Sequence, residues 1–285
     1  MLAQTYEQYK PLLFGLAYRM LGSAADAEDV VQDVFARYLQ LEPEAVRNEK
    51  AYLTRMTANR CINLLKSSRR QRETYTGPWL PEPLADAGAD PAERRDNIAY
   101  AYIVLLQRLS PLERAIFILK QSLGFEYREI ADMLDKSEIS CRQTFSRANR
   151  KMRDGAIGEL QGEEPAEAKE RFVDAFLRAS DTGNFKPLLA FLMDEVTLVS
   201  DSGGKARAAL KPIYGLDRVM AFFEGLATKG RLGGFVRARL NGEPGLVRRQ
   251  EGRVTFALCA EWDPDGSRIR TLYAIVNPDK LAGFS

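Results

Sequence analysis

The spacing of apolar residues changes along this chain, and that change limits the fold more than any other feature. Through the first half, apolar side chains recur three or four residues apart, as on one face of a helix. From Gly234 onward they alternate, as in strands that bury one face, with turn signals such as Asn241 and Gly242 between them. The sequence therefore predicts a multidomain protein, with two all-α helical domains followed by an α+β domain that ends in a curved antiparallel sheet.

Composition indicates where these domains begin and end. Residues 75–96 are rich in proline and glycine, which predicts an extended linker. The predicted domains are residues 1–74, 97–160 and 166–285, with the linker at 75–96. Trp79 and Leu80 are large apolar residues inside the linker, so we expect them to dock on a neighbouring domain.

Whole-chain composition disfavours several classes of protein. The formal net charge is only +2, so any affinity for nucleic acid must come from local patches. The chain has no histidine, the commonest general acid/base and metal ligand, and we expect no metal site and no cofactor. Its three cysteines are far apart and have no metal-binding spacing, which indicates a reducing compartment. Without a signal peptide or a long apolar run, we expect a cytoplasmic protein with no membrane partner.

Two basic helical segments lie on separate helical modules. The first, residues 59–72, contains no acid between Cys61 and Arg72. The second, residues 138–153, carries five basic residues against one acid, Glu138. Two basic elements on two modules predict two contacts with one duplex, the layout needed to read a split DNA site.

The second basic segment completes a predicted helix-turn-helix. A short helix at residues 129–134 is followed by a turn and by a helix that Ser137 is suited to cap. In this second helix, the apolar residues expected to face the core of the domain are Ile139, Cys141, Phe145, Ala148 and Met152. Near its N-terminus, Arg142 and Gln143 are the best candidates for reading bases, whereas Arg147 and Arg150 suit phosphates.

Three segments resemble those of extracytoplasmic-function (ECF) RNA polymerase sigma factors. Residues 26–35 (DAEDVVQDVF) resemble the region 2 helix that binds the polymerase clamp, and residues 59–72 resemble the end of region 2 that meets the −10 element. Residues 109–114 and 129–150 resemble region 4, which reads the −35 element. The resemblance implies that residues 1–74 form region 2 and residues 97–160 region 4, with no region 3 domain between them.

The rest of the chain resembles the ECF group that carries a C-terminal SnoaL-like domain. The motifs WLPEP at residues 79–83 and NPDKL at residues 277–281 match that group in full. DSGGK at residues 201–205 matches the motif Asp-Gly-Gly-Gly-Lys except at Ser202. The resemblance implies a cone-shaped α+β domain at residues 166–285 that regulates a sigma factor.

The resemblance also implies which residues bind core RNA polymerase, through its clamp and flap regions, and promoter DNA. The helix at residues 26–35 would bind polymerase through its acidic and polar face, which carries Asp26, Glu28, Asp29, Gln32 and Asp33. The residues expected to contact −10 DNA are Asn59, Asn63, Lys66, Arg69, Arg70 and Arg72. Those expected to contact −35 DNA are Ser140, Arg142, Gln143, Ser146, Arg147 and Arg150. The loop at residues 42–50 resembles the place where an unstacked −10 base is held.

We further expect the motifs at residues 201–205 and 277–281 to hold the linker motif at residues 79–83, and so to fix the spacing of the two DNA-reading modules. The residues with this interdomain role would be Trp79, Leu80, Pro81, Glu82, Pro83, Asp201, Gly203, Gly204, Lys205, Asn277, Pro278, Asp279, Lys280 and Leu281.

An enzymatic role for the C-terminal domain is the main question that the sequence raises. SnoaL-like folds include cyclases and isomerases, and the residues that could line such a pocket here are Asp201, Tyr214, Trp262 and Tyr273. Without histidine we expect no catalytic residues. Two alternatives stay open: a ligand-responsive helix-turn-helix regulator, and a SnoaL-like cyclase or isomerase with a DNA-binding arm. A small-molecule ligand of the C-terminal domain also stays open.

Overall fold

The computed structural model describes residues 2–41, 46, 48–67, 74–85, 99–155 and 166–284. The chain divides into two compact units, Met1–Glu73 with Ile103–Ala156 and Thr74–Tyr102 with Ile157–Ser285. The linker therefore belongs to the same unit as the C-terminal domain, and both predicted DNA-reading modules belong to the other. No helix in the described ranges is long and apolar enough to cross a bilayer.

The first unit begins with a three-helix bundle, which we call the N-terminal bundle. Its helices are α1 (Leu2–Leu21), α2 (Ala24–Tyr38) and α3 (Glu49–Ser67). Ser23 caps helix α2, because its hydroxyl accepts a hydrogen bond from the Asp26 amide at 3.2 Å. Val30, Val31 and Val34 of α2 are buried against α1 and α3. One apolar face per helix is thus enough to make a shared core.

A second bundle completes the first unit, which resumes at Ile103 inside the first helix of this bundle. The elements are α4 (Tyr100–Leu106), α5 (Pro111–Phe117), a π-helical turn (Ile118–Ser122), α6 (Tyr127–Leu134) and α7 (Glu138–Gly155). Ser110 and Glu113 form a capping box at the start of α5, in which each side chain bonds the other residue's amide. The proline that follows Ser110 occupies the first helical turn, where its missing N–H costs nothing.

Helices α6 and α7 form the predicted helix-turn-helix. Asp135 ends α6 in the left-handed conformation (φ 53°, ψ 56°), which a short polar side chain tolerates. The Lys136 amide then donates to the Ala131 carbonyl at 3.0 Å. Ser137 caps α7, because its hydroxyl accepts from the Ser140 amide at 3.2 Å. The turn between the two helices is closed by these local bonds.

The buried face of α7 differs from the prediction at one position. Cys141, Thr144, Ala148 and Met152 are buried, but Ile139 is 70% exposed. A helix turns about 100° per residue, so a side chain two positions before Cys141 points to the opposite face. The prediction that Ile139 faces the core is therefore wrong.

The second unit contains helices and a six-stranded sheet. After α8 (Ala166–Thr182) and a 3₁₀ turn (Lys186–Ala190), the elements are β1 (Leu192–Asp201), β2 (Ile213–Tyr214), α9 (Leu216–Thr228), β3 (Phe235–Leu240), β4 (Glu243–Gln250), β5 (Arg253–Trp262), β6 (Ile269–Ile275), α10 (Pro278–Leu281) and a last 3₁₀ turn (Ala282–Phe284). The strand order is β2-β1-β6-β5-β4-β3. The α+β class is as predicted.

The sheet is mixed, which corrects the expectation of a purely antiparallel one. Strand β6 pairs with β5 in the antiparallel direction but with β1 in the parallel direction, placing Leu198 opposite Leu272. A helix and four strands separate β1 from β6 along the chain, so the chain has room for the crossover that parallel pairing needs.

Aromatic residues fill the space between the helices and the sheet. Phe176 lies at the centre, with ring centroids 5.6 Å from Phe223 and 5.3 Å from Phe235. Trp262 packs edge-on to Phe172 of the same cluster at 6.0 Å. Perpendicular ring pairs of this kind add to the stability that burial alone supplies.

The β3–β4 connection is the two-residue hairpin that the sequence predicts. Asn241 (φ 53°) and Gly242 (φ 80°) both have positive φ, as a type I′ turn requires. Asn241 also bonds the linker, since its amide donates to the Leu84 carbonyl at 2.8 Å and its side-chain oxygen accepts from the Leu84 amide at 2.9 Å. The turn thus anchors the end of the described linker.

Candidate nucleic-acid interface and linker clasp

The solvent face of α7 carries the residues predicted to contact −35 DNA. Five of them are exposed and Ser140 is half-buried; the exposed residues are Arg142, Gln143, Ser146, Arg147 and Arg150. Arg142 is held in place by Glu138, with Nε 3.1 Å from Oε1, and its guanidinium lies 4.5 Å from the centre of the Tyr127 ring. The Arg142 guanidinium and the exposed side-chain amide of Gln143 are both groups that can hydrogen-bond to base edges in the major groove.

Ile139 is a candidate that the sequence analysis missed. It lies in the first turn of α7 and is 70% exposed, unlike the other apolar residues of that helix. An exposed β-branched side chain at the N-terminus of such a helix suits contact with a thymine methyl group. The helical phase relative to Cys141 was the signal that would have identified it.

Helix α2 presents most of the predicted polymerase-binding residues to solvent. Asp26, Glu28, Asp29 and Gln32 are exposed. Asp33 differs, because its carboxylate is paired with Arg60 of α3 at 2.8 Å. The exposed acidic face therefore consists of the first four residues, and Asp33 helps to join α2 to α3.

The residues predicted to contact −10 DNA are only partly described. Asn63 and Lys66 are exposed on α3. Arg69, Arg70 and Arg72 lie outside the described residues, as does most of the loop at residues 42–50. Asn59 is engaged within the unit, because its side-chain amide donates to the Met133 carbonyl of α6 at 3.1 Å.

The two bundles of the first unit are joined by buried polar contacts. Arg114 of α5 is 2% exposed, and its guanidinium donates to the Met20 carbonyl of α1. The same group donates to the Gln107 side chain at 2.8 Å and to the Leu109 carbonyl at 3.2 Å. The last two bonds position Arg114 within its own bundle, whereas the Met20 and Asn59 bonds join the N-terminal bundle to the second bundle.

A cavity of about 490 Å³ opens between α2 and α3. Its lining includes Asn59, Asn63 and Arg55, together with the Asp33–Arg60 pair. Amide and guanidinium groups of this kind can bond the edge of an unstacked base. The cavity therefore lies where a predicted polymerase-binding residue and two predicted −10 residues meet.

In the second unit, Asp201 is the centre of the contacts that hold the linker. Its carboxylate is 0% exposed and accepts from the Tyr75 hydroxyl at 2.5 Å and from the Leu80 amide at 2.7 Å. It also accepts from Lys280 at 2.5 Å and from the Gly203 amide at 3.1 Å. A buried carboxylate is stable only when its charge is compensated in this way.

Lys280 binds the linker as well as Asp201. Its ammonium donates to the Leu80 carbonyl and lies 4.1 Å from the centre of the Trp79 ring. Asn277 adds a further bond, because its side-chain amide donates to the Tyr75 oxygen at 2.8 Å. We call Asp201, Asn277 and Lys280, with Tyr75, Trp79 and Leu80, the linker clasp. All three SnoaL-group motifs contribute to it.

The glycines of the DSGGK motif allow the linker to approach closely. A Cβ atom on Gly203 would lie 2.6 Å from the Asn277 side-chain nitrogen, and one on Gly204 would lie 3.1 Å from Thr76. Both glycines have positive φ, but Ser202 does not. The departure at Ser202 therefore leaves the turn intact, and its carbonyl accepts from the Lys205 amide at 2.9 Å.

Tyr75 is a clasp residue that the sequence analysis missed. Burial and its hydrogen bond to Asp201 raise the pKa of its hydroxyl well above the usual range, so it remains a donor. No short motif marks it, and its partner Asp201 lies 126 positions further along the chain. Only the tertiary structure brings the two together.

The residues considered for an enzymatic pocket do not share one. Asp201 is occupied by the clasp, and Tyr214 is 61% exposed on the short edge strand β2. Trp262 belongs to the aromatic core, whereas Tyr273 contacts the ring of Tyr100 at 5.6 Å. The expectation that these four side chains could line one pocket is wrong, because Trp262 packs on the core face of the sheet, whereas Asp201 and Tyr273 lie on the opposite face.

Comparison with known proteins identifies the family. A model of Sigma-70 region 2 matches residues 5–71, and a model of Sigma-70 region 4 matches residues 100–152. The ECF RNA polymerase sigma factor SigJ of Mycobacterium tuberculosis (strain ATCC 25618 / H37Rv) is 31% identical over 302 aligned residues, which cover 98% of this chain and 92% of SigJ. This chain belongs to the ECF RNA polymerase sigma factors.

Two further comparisons agree with this family. The crystal structure of M. tuberculosis SigJ matches with a TM-score of 0.78 and 29% identity, covering 99% of this chain and 98% of SigJ. The ECF RNA polymerase sigma factor SigG of M. tuberculosis is 30% identical over 60% of this chain and 54% of SigG. In sigma-factor terms, the N-terminal bundle is region 2, the helix-turn-helix bundle is region 4, and the sheet belongs to the SnoaL-like domain.

Proposed function

We propose that this sigma factor binds core RNA polymerase, directs it to a promoter with −35 and −10 elements, and initiates transcription there. The observation that carries the proposal is the presence of region 2 and region 4 in one chain whose recognition helix exposes five predicted DNA-contacting side chains. Such a protein acts where RNA polymerase is, in the cytoplasm.

The exposed face of α2 is our proposed contact with the polymerase clamp. Asp26, Glu28, Asp29 and Gln32 supply three carboxylates and an amide on one side of the helix. Carboxylates of this kind attract a basic partner surface and orient the encounter with it. Region 4 would bind the flap.

We propose that α7 enters the major groove of the −35 element. Arg142 and Gln143 are placed to read base edges, with Ile139 against a thymine methyl group, while Arg147 and Arg150 hold phosphates. In region 2, Lys66 would bind phosphate and Asn63 a base of the −10 element. The cavity beside α3 would receive the unstacked base.

Regions 2 and 4 have to move apart to read one promoter. The names of the two elements place them about 25 base pairs apart, or about 85 Å of B-DNA at about 3.4 Å per base pair. In the structure, Asn59 of region 2 bonds Met133 of region 4 directly. We therefore regard the packed form as the one that precedes binding to polymerase and DNA.

We propose that the SnoaL-like domain regulates the sigma factor by holding the linker between regions 2 and 4, and that it is not a catalyst. The clasp fixes residues 75–80, and the Asn241 turn fixes Leu84 further along. A linker held at two points has fewer accessible lengths than a free one. The clasp thereby limits which spacings of −35 and −10 elements the protein can reach.

Run-off transcription with purified core RNA polymerase tests this function. The template is a fragment from the gene's own upstream region, with wild-type protein beside a Trp79→Ala/Leu80→Ala variant. We expect transcripts that depend on core polymerase, and a different yield from the variant. If promoter DNA is bound tightly without polymerase and no transcript forms, the chain acts as a ligand-responsive regulator instead. Equal yields from both proteins would show that docking of the linker does not affect transcription.

A further inference from the structure

The SnoaL-like domain has a second feature, an open cavity of about 820 Å³ beside the C-terminal turns. It lies between the β4–β5 hairpin, the loop after DSGGK and the segment that contains α10. All of its lining residues belong to the second unit. Its volume is within the range of pockets that bind small molecules, about 300–1,000 Å³.

The lining of this cavity is strongly cationic. Five basic side chains border it and no acidic residue does; the five are Lys205, Arg207, Arg231, Arg248 and Arg253. Lys205 is paired with Asp279 outside the lining. Among the described residues, no carboxylate forms an ion pair with the other four. Such a concentration of positive charge raises the free energy of the domain unless an anion enters.

Arg248 is the best-positioned of these groups. Its guanidinium donates to the Arg231 carbonyl at 2.5 Å and to the Thr255 hydroxyl at 3.2 Å, and it lies 6.0 Å from the centre of the Phe256 ring. Burial lowers the pKa of Arg248, because the charged form is partly desolvated. A guanidinium has five donor hydrogens in a planar fork, so donors remain for an anion after these two bonds.

The rest of the lining is apolar. Val254, Val276, Leu281 and Phe284 face the same space as the arginines. Leu281 and Phe284 are themselves almost fully buried, at 3% and 6% exposed, so this wall is packed in place. An apolar wall opposite fixed cations favours a ligand with an apolar body and a charged head.

We propose that this cavity binds a small organic anion, with a phosphate, sulfonate or carboxylate head held by Arg231, Arg248 and Arg253 and an apolar body against Leu281 and Phe284. Arginine forks bind the oxygens of such heads in pairs, which gives orientation as well as affinity. The anion compensates the four cations that have no carboxylate partner among the described residues, and its apolar body packs against the apolar wall.

The position of the cavity links its occupant to the linker clasp. Lys205, Pro278 and Leu281 line the cavity, and the motifs that contain them also supply Asp201 and Lys280 to the clasp. A bound anion would therefore act on the segment that holds the linker, a step that rests on the proposed regulatory function. Binding itself does not rest on it and is measured without polymerase or DNA.

Fluorescence titration of the full-length protein tests the binding. The probe is 8-anilinonaphthalene-1-sulfonate, which has an anionic head and an apolar body. Its neutral analogue N-phenyl-1-naphthylamine lacks the sulfonate, and inorganic pyrophosphate represents a head alone. We expect saturable binding of the anionic probe, at least tenfold weaker binding of the neutral analogue, and displacement of the anionic probe by pyrophosphate. Equal affinity for both probes would show a merely apolar site and overturn the proposal.

Two double variants locate the site. Arg231→Gln/Arg253→Gln removes two charges from the cavity, and Arg171→Gln/Arg178→Gln removes two exposed charges from α8, outside the cavity. We expect the first to weaken probe binding at least tenfold, since hydrogen bonds to charged groups are the strong ones. The second should leave it unchanged. Equal weakening by both variants would mean that the probe responds only to net charge, and the proposal would fail.

A competition experiment separates a small anion from nucleic acid. A short DNA duplex is added to the protein saturated with the anionic probe. If the duplex displaces the probe from wild-type protein and the cavity variant loses DNA affinity to the same extent, the arginines are a DNA-phosphate contact and the proposal is wrong. Retention of the probe in the presence of duplex supports a separate small-molecule site.

Discussion

At the scale of single residues, the structure distinguishes side chains that look alike in the sequence. Asp201 and Asp279 both belong to short motifs of the SnoaL-like domain, yet the side chain of Asp201 is 0% exposed and that of Asp279 is 62% exposed. Each pairs with a lysine. Because desolvation strengthens every electrostatic effect, the two pairs should respond very differently to the same substitution.

Replacing Asp201 by Asn tests this difference. The change keeps the shape but leaves Lys280 buried without its counter-charge, so we expect a loss of about 3 kcal/mol in the free energy of unfolding. Urea unfolding followed by tryptophan fluorescence reports on this unit, because both tryptophans, Trp79 and Trp262, belong to it. The control Asp279→Asn, at an exposed pair, should cost less than about 1 kcal/mol. Equal losses would show that the clasp charge is not buried in solution.

Ile139 gives a prediction about DNA recognition at the same scale. If its side chain packs on a thymine methyl group, replacing thymine by deoxyuridine in the −35 element should lower transcription roughly fourfold, the worth of one buried methyl group at about 0.8 kcal/mol. An Ile139→Ala protein should lose most of this discrimination. Leu189→Ala, which shortens another exposed apolar side chain (43% exposed) in the SnoaL-like domain, should retain it. Unchanged discrimination by Ile139→Ala would rule out the contact.

At the scale of elements, local sequence signals predicted the helices and hairpins well. The Ser137 cap begins α7 and the Asn241–Gly242 turn joins β3 to β4, both as predicted. These features depend on hydrogen bonds within a few residues, so the sequence alone specifies them. The parallel pairing of β1 with β6 was not predicted, because it joins strands from opposite ends of the domain.

The glycine turn of DSGGK is an element whose role can be measured. In a Gly203→Ala protein the new methyl group would collide with Asn277 as well as strain the backbone at φ 57°. We expect the linker to undock, so that acrylamide quenches Trp79 fluorescence more strongly. Gly252→Ala is the matched control, because its φ is 76° and nothing lies within 4 Å of the added atom. Undisturbed quenching in Gly203→Ala would show that the close approach is unimportant for docking.

At the scale of the whole molecule, the chain is organised into a unit that carries both DNA-reading regions and a unit that carries the linker with the SnoaL-like domain. This grouping differs from the order of domains along the sequence. The predicted boundaries at residues 74, 96 and 160 stay a prediction, as do the roles of the individual site residues. The comparisons establish the family. The contacts within each unit join region 2 to region 4 in one unit and the linker to the SnoaL-like domain in the other.

The contact between regions 2 and 4 yields a prediction at this scale. In an Asn59→Asp protein a carboxylate replaces the amide donor and faces the Met133 carbonyl, so the two regions should separate more often. We expect backbone amides at the end of α6 and in the turn after it to exchange with solvent several-fold faster in hydrogen-exchange measurements without DNA. Asn63→Asp, one turn further along α3 and exposed, introduces the same charge as a control. Matching exchange rates in the two variants would contradict a specific role for Asn59.

The sequence by itself determined the element types, the helix caps, the helix-turn-helix and the family, because periodicity, caps and motifs are local properties. Only the tertiary structure decided which carboxylate accepts the hydrogen bonds of the linker and which strands pair in parallel. The Asp201 carboxylate accepts hydrogen bonds from Tyr75, Leu80 and Lys280, which are separated by as many as 205 positions along the chain. No local pattern encodes such partners, since they are selected by the burial of a charge that the fold must neutralise.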